Sequence, residues 1–247
     1  MTCANKSWTE LGIAPTVLLG PLTAAGVSNQ GVPQPQFAPG TTVDGNGKGK
    51  WVLCTLVLAS TTTLANGQAY VFDRNFLATL LTTANSPRAA SVGIGSVSQA
   101  SVVAGTYYIW LQILGHAPVQ YTGNATAAGE TTATGGLVNF NNTPTATAKT
   151  IIGIGSFVAS QTFTANTSTV TPRVLTNVSS FNDVAVGASL AGTGIGASAK
   201  IVSFGVVNGD NQIVVDVDST ATGTGITITQ TGVITANLTF PHVGITN

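Results

Sequence analysis

Ionisable side chains are the scarcest ingredient of this chain: 247 residues include eight basic and eight acidic groups and two histidines, with a formal charge of zero. Soluble domains ordinarily carry about a quarter charged residues and owe colloidal stability to them, so a chain at 6% is poorly protected against self-association. The same shortage removes most side chains that do chemistry. It shifts the expectation from an enzyme toward a building block of a larger assembly. The cations are scattered from Lys6 to Lys200, and the closest pair, Lys48 and Lys50, reads as a solvated turn. Phosphate binding needs clustered Lys and Arg, so nucleic acid is not an expected partner.

Cysteine is almost as rare. Cys3 and Cys54 are too few for a disulfide scaffold and form no Cys-x-x-Cys pair, so both read as reduced thiols, with no metal or redox role. Long apolar runs are missing too: residues 51–59 and 107–114 are the longest, far below the ~20 residues of a membrane span. The first eleven residues, with Lys6, Trp8 and Glu10, lack the apolar run of an export signal. Neither a membrane nor secretion is expected. Triplets such as Asn124-Ala125-Thr126 and Asn237-Leu238-Thr239 therefore read as unmodified.

What fills the chain is Gly, Thr, Ala, Val and Ser. At 24.8 kDa it has room for one large all-β domain or two smaller ones, and the changes in pattern favour two. Residues 1–48 hold five of the ten prolines, Pro15, Pro21, Pro33, Pro35 and Pro39. Proline fixes φ and removes donors, so this stretch predicts an extended N-terminal arm. Trp8, Leu11, Ile13, Leu18, Leu19 and Phe37 are its apolar anchors, suited to lying on another surface.

From Trp51 the pattern becomes β-forming, and residues 49–160 read as a β-rich core domain. Residues 51–58 and 69–72 flank Asn66-Gly67, a hairpin-type turn signal. Residues 73–81 alone have helical spacing, apolar at Phe76, Leu77, Leu80 and Leu81 behind a possible Asp73 cap, and predict one short helix. Further strands are expected at 91–97, 105–114, 119–122 and 151–158, with Gly115-His116-Ala117-Pro118 as a turn. Residues 161–247 alternate Thr and Val between Gly and Asn-Gly breaks, which predicts a sandwich-like or barrel-like module. The last strand, 232–240, either closes that module or returns to the core domain around an insertion.

Few motifs carry chemistry. Gly192-Thr193-Gly194-Ile195-Gly196 has the wrong spacing for a dinucleotide loop, and Lys48 and Lys50 are not followed by Ser or Thr as a P-loop requires. His116 and His242 lack a nucleophile elbow and read as structural. Asp216 and Asp218, two apart on an expected strand, would share a face, and with Asp210 they are the one arrangement compatible with a hydrolase or a calcium site. No loop of alternating oxygen ligands accompanies them, so no catalytic, cofactor or metal site is expected.

The run Val103-Ala104-Gly105-Thr106-Tyr107-Tyr108-Ile109-Trp110-Leu111-Gln112-Ile113-Leu114-Gly115-His116-Ala117-Pro118-Val119, followed by Ala127-Ala128-Gly129, Gly135-Gly136 and Ile152-Gly153, resembles the capsid decoration, or cement, proteins of tailed bacteriophages. Residues 174–229, with Gly187-Ala188-Ser189-Leu190-Ala191-Gly192 and Thr220-Ala221-Thr222-Gly223-Thr224-Gly225, look like a small β module recurrent in phage structural proteins. The resemblance implies a homotrimer on the outer capsid surface of the virion, bound to the major capsid protein and bracing capsomer contacts. The arm would extend the interface. A tail fibre or adhesin subunit touching the host surface is the alternative, and a polysaccharide hydrolase would rest on Asp216 and Asp218 alone.

Overall fold

The computed structural model describes residues 37–45, 49–123, 129–132, 135–140, 148–156, 161–181 and 184–246, and every regular element in them is a β-strand. In chain order these are β1 (Thr42–Asp44), β2 (Lys50–Leu58), β3 (Thr62–Leu64), β4 (Ala69–Phe72), β5 (Leu77–Leu80), β6 (Ser91–Gly95), β7 (Gln99–Val102) and the long β8 (Gly105–Gly123). Then come β9 (Gly129–Thr131), β10 (Val138–Phe140) and β11 (Lys149–Ser156). A second unit holds β12 (Gln161–Thr167), β13 (Val174–Leu175), β14 (Ser189–Gly192), β15 (Ile201–Val207), β16 (Asp210–Val215) and β17 (Gly223–Thr231). The last strand, β18 (Val233–Thr246), returns to the first unit, where it pairs with β8 and β11.

Strand pairing in the first unit closes on itself twice. β2 pairs with β5, β5 with β4, β4 with β6, β6 with the first half of β8, and β8 with β2 again. The second half of β8 pairs with β18, then β11, β9 and β10 follow, and β10 returns to β8. Closure leaves few ladder groups unpaired. Each ring has its own core. Cys54, Tyr70, Ile109 and Leu111 lie in one, and Val71, Val119, Ile234 and Leu238 in the other.

β4 serves both cores, because alternate residues of a strand point to opposite faces and all four of its residues are buried. Such a crowded strand needs a small neighbour. Gly95 on β6 is that neighbour: a Cβ there would stand 2.6 Å from the Tyr70 ring. The Tyr70 hydroxyl is buried and has no hydrogen-bond partner among the described residues.

β8 belongs to both rings because it bends without ending. The expected turn at residues 115–118 is instead a corner within the strand, where Gly115 takes φ 87°. Gln112 Nε2 donates to the carbonyls of Leu114 at 3.0 Å and His116 at 2.9 Å, which fastens the two sides of that corner.

The helix expected over 73–81 is not formed, and among the described residues there is no helix. The Asp73 carboxylate accepts the N–H groups of Asn75 and Leu77 and closes a tight turn, rather than capping a helix. Phe76 sits in the left-handed region at φ 59° with its ring stacked on Phe72, and Leu77–Leu80 becomes β5, which fills the gap between β2 and β4. A turn followed by a strand has reproduced a helical spacing. For the same reason β2 and β4 are not a hairpin: Asn66-Gly67 joins β3 to β4, with Gly67 at φ 86°.

In the second unit, the sheets β12-β17-β14 and β13-β16-β15 enclose Phe163, Leu175, Leu190, Ile213 and Ile228. Bridges Asn166↔Thr176 and Ser189↔Lys200 join their margins. β13 is only Val174–Leu175, since Ser168 Oγ accepts the N–H groups of Val170 and Thr171 and holds a turn before it.

Trp8, Leu11, Ile13, Leu18 and Leu19 lie outside the described residues. Phe37 is half-buried on its own chain, edge-on to Trp110 with ring centroids 6.3 Å apart, over a cluster that includes buried Trp51 and Leu53. Gly40 N–H donates to the Leu53 carbonyl at 2.7 Å and Leu53 N–H to Thr41 at 2.9 Å. The segment before β1 is thus stitched to β2.

Burial of Cys54 pushes its thiol up from 9.0 to about 12, with the nearby Asp73 charge adding to the rise. Burial raises the Tyr70 phenol as well. The thiol stays protonated in the folded chain at a pH where the unfolded chain releases the proton, so its contribution is intact below about pH 9 and is lost as pH rises toward 12, and the Tyr70 phenol acts in the same direction from its ordinary value of 10.0 upward. Stability should fall above pH 9 by up to about 1.4 kcal/mol per pH unit for the thiol. Urea melts between pH 8 and 11 check this, and Cys54→Ala should flatten the first part of the slope.

Candidate functional site

Between the two units lies an open cleft of about 600 Å³. Its first wall is the β8 corner, His116-Ala117-Pro118, with Asn66, Ser96 and Ser98 beside it; the second wall is Val184-Ala185-Val186 and Phe204. Asn66 ties the walls together. Its Nδ2 donates to the Val186 carbonyl at 3.2 Å, while its own carbonyl accepts from Gln120 Nε2 at 3.0 Å. Gln230, buried at the end of the second unit, accepts the Ala185 N–H and donates to the Val233 carbonyl, which fixes the second wall to the start of β18.

The cleft opens along β15. Phe204 lies opposite Ile213 in the β15–β16 ladder and therefore on the core-facing side, yet it is among the exposed large apolar residues, with its ring 5.3 Å from that of Phe181 between centroids. Val202, Phe204, Val206 and Val207 are between 41% and 64% exposed. Ile201 is engaged by Gly187 and Ala188. Among the described residues, no strand pairs with the outer edge of β15 beyond it. β15 and β16 are joined by Asn208-Gly209, at φ 52° and 82°, the left-handed pair that a tight two-residue hairpin requires.

The sequence singles out other residues, and the structure scatters them. β16 ends at Val215, so Asp216 and Asp218 are not on a strand: Asp216 accepts the Lys200 N–H at 2.6 Å, and Asp218 pairs with Arg173 at 2.7 Å. Asp210 accepts from the Asn177 N–H and from Gln212. Asp44 pairs with Lys50 at 3.7 Å, and Glu130 accepts from Asn139. Each described carboxylate is thus spent on the chain's own turns and strands. Among the described residues no three His, Cys, Asp or Glu side chains are grouped to hold a metal ion.

The glycines of 192–196 serve close packing. A Cβ at Gly192, Gly194 or Gly196 would stand 2.9, 2.9 or 2.5 Å from the carbonyl oxygens of Thr227, Ala221 and Asp218. His116 is one of the residues lining the cleft, and His242 lies on β18 with Nδ1 3.3 Å from the Phe240 carbonyl. Cys54 is a buried free thiol, and Cys3 lies outside the described residues. The sequence marks residues 200–207 as a strand, and β15 forms there as Ile201–Val207, but nothing local reports that its outer edge is left open.

No protein-family model matches the chain, and no match to it is found among curated proteins or solved structures.

Proposed function

We propose that the chain is a structural subunit of a tailed-bacteriophage particle, a homotrimer seated on the outer capsid surface that binds the major capsid protein and braces contacts between capsomers. One observation carries the reading. The described carboxylates are all engaged in internal ties, while β15 exposes Val202, Phe204, Val206 and Val207 beside a cleft lined by no Asp, Glu, Lys or Arg. That surface has the chemistry of a contact and little of the chemistry of a reaction. Attachment by apolar burial and backbone pairing should depend only weakly on salt.

A tail fibre or adhesin subunit is the second reading, favoured by the exposed β15–β16 hairpin tip. Imaging particles that carry a label on this chain separates the two. A cement protein places the label over the shell at roughly hundreds of copies, a fibre at the tail in about tens. Label confined to the tail, or measurable turnover of a polysaccharide, overturns the shell reading.

A further inference from the structure

Proteins ordinarily guard an edge strand against pairing with another chain by charge, proline, a bulge or a covering segment. β15 has one bulge, at its paired start, and no charge or proline from Ile201 to Val207. Its glycine is also unexplained by the chain itself. Gly205 does not take a positive φ, and a Cβ there would meet nothing within 4 Å among the described residues. Neither a turn nor internal packing calls for glycine at that position, and a glycine in mid-strand weakens the strand. The use left for it is to let another backbone come close.

Val207 and Asp210 flank the two-residue turn and form its closing hydrogen-bonded pair, so by alternation Gly205 and Val207 direct their N–H and C=O groups to β16. Phe204 and Val206 direct theirs to the open edge. We propose that β15 pairs antiparallel with β15 of a second copy about a two-fold axis at Gly205, joining two copies of the sheet β13-β16-β15 into one continuous sheet. In this register Phe204 lies opposite the second copy's Val206 and exchanges both hydrogen bonds with it, and Val206 does the same with the second copy's Phe204. Gly205 meets its own symmetry mate as a non-hydrogen-bonded pair, with Cα atoms about 4.5 Å apart, the closest approach in an antiparallel ladder. Phe204 and Val206, 41% and 64% exposed, share a face, so each ring is covered by the second copy's valine. A two-fold axis brings like charges on an edge toward each other, and β15 has none to repel. Neighbouring registers fit worse: centred on Val206, Phe204 would face Asn208 in the turn, and centred on Phe204, Val206 would face Val202, next to Ile201, whose edge Gly187 and Ala188 already occupy. A two-fold contact is distinct from a three-fold ring, and the inference does not rest on the shell reading.

Single cysteines read the register on the full chain carrying Cys3→Ser, in which the remaining native thiol, Cys54, is buried. Under mild oxidation Gly205→Cys should form disulfide-linked pairs of chains at least about tenfold faster than Ser203→Cys or Val207→Cys alone, because residue 205 faces itself within the roughly 4.4–6.8 Å that a disulfide spans. Chains carrying Ser203→Cys and Val207→Cys should link to each other when mixed, since the register sets those positions opposite. Ser203 and Val207 are exposed and Gly205 half-buried, so no core side chain is replaced. Adding Val206→Lys to Gly205→Cys should slow the linking about tenfold or more, whereas adding Val170→Lys, at a residue 88% exposed outside the strands, should leave it unchanged. Equal rates at 203, 205 and 207 overturn the proposal, as does self-linking that is fastest at 203 or 207. So does a Gly205→Cys rate indifferent to Val206→Lys. Capsid attachment is not a readout here, so the shell reading stands or falls separately.

Discussion

A chain lacking residues 1–36 is expected to unfold cooperatively within about 1 kcal/mol of the full chain and to lose attachment to capsids, whereas a chain lacking residues 1–45 should also lose about 3–5 kcal/mol of stability. The boundary follows from Phe37. Upstream of it lie the anchors Trp8, Leu11, Ile13, Leu18 and Leu19, which the shell reading assigns to the capsid contact. From Phe37 to Asp44 the chain covers Trp110, pairs with β2 and closes over Trp51 and Leu53, all three of which are at most 5% exposed. Removing that cover uncovers two tryptophans and deletes β1, a loss comparable to truncating a large core side chain. Urea denaturation of the three proteins gives the stabilities, and co-sedimentation with heads gives occupancy. Full occupancy of heads by the chain lacking 1–36 would refute the arm's role in attachment. Equal stability of the two truncated forms would refute the internal role of residues 37–45.

The distribution of anchors explains which parts of the molecule could be read from the sequence. Strands such as β4 and β17 are legible because β-branched and aromatic runs end at Asp73 and Gly232, and local chemistry decides them. Residues 73–81 mislead because Phe76, Leu77, Leu80 and Leu81 keep a helical spacing while Phe76 turns the chain at positive φ and Leu77 is left exposed. The tertiary gap between β2 and β4 settles the matter, and no local signal reports a gap. The corner of β8 misleads in the opposite direction: Gly115-His116-Ala117-Pro118 has turn composition, yet Pro118 lies opposite Thr235 in a continuing ladder. The cleft is illegible for a different reason. Its walls come from residues 66, 96, 98, 116–118, 184–186, 204 and 235, which the return of β18 and the ties from Asn66 to Val186 and from Gln230 to Ala185 bring together. The paired carboxylates are visible in sequence but not their use, because whether Asp216 faces a ligand or the Lys200 N–H depends on where β16 stops.

Replacing Gln112 with leucine should cost about 2–4 kcal/mol, a large effect for a change of similar size in a strand that keeps its apolar neighbours. The amide is 5% exposed, and its Nε2 is shared between two carbonyls on either side of Gly115. Leucine fills much of the same space but leaves both part-buried oxygens without that donor, and an acceptor that neither protein nor water then satisfies costs about 1–3 kcal/mol. Gln112→Glu should be at least as damaging, since a carboxylate cannot donate to either carbonyl and would be buried with its charge. The consequence reaches beyond stability. Gln112 pairs with Ile94 in one ring and stands three residues before the corner that carries β8 into the other, so loosening it frees His116-Ala117-Pro118, the first wall of the cleft. Hydrogen exchange of the leucine variant should therefore speed up first at the β8–β18 ladder and at the Gln120 amide, which donates to the Gly67 carbonyl at 2.8 Å. Uniform acceleration across both rings would mean that the corner is not an independent joint. A loss of stability below about 0.5 kcal/mol would mean that water replaces the amide at no cost, and that Gly115 alone bends the strand.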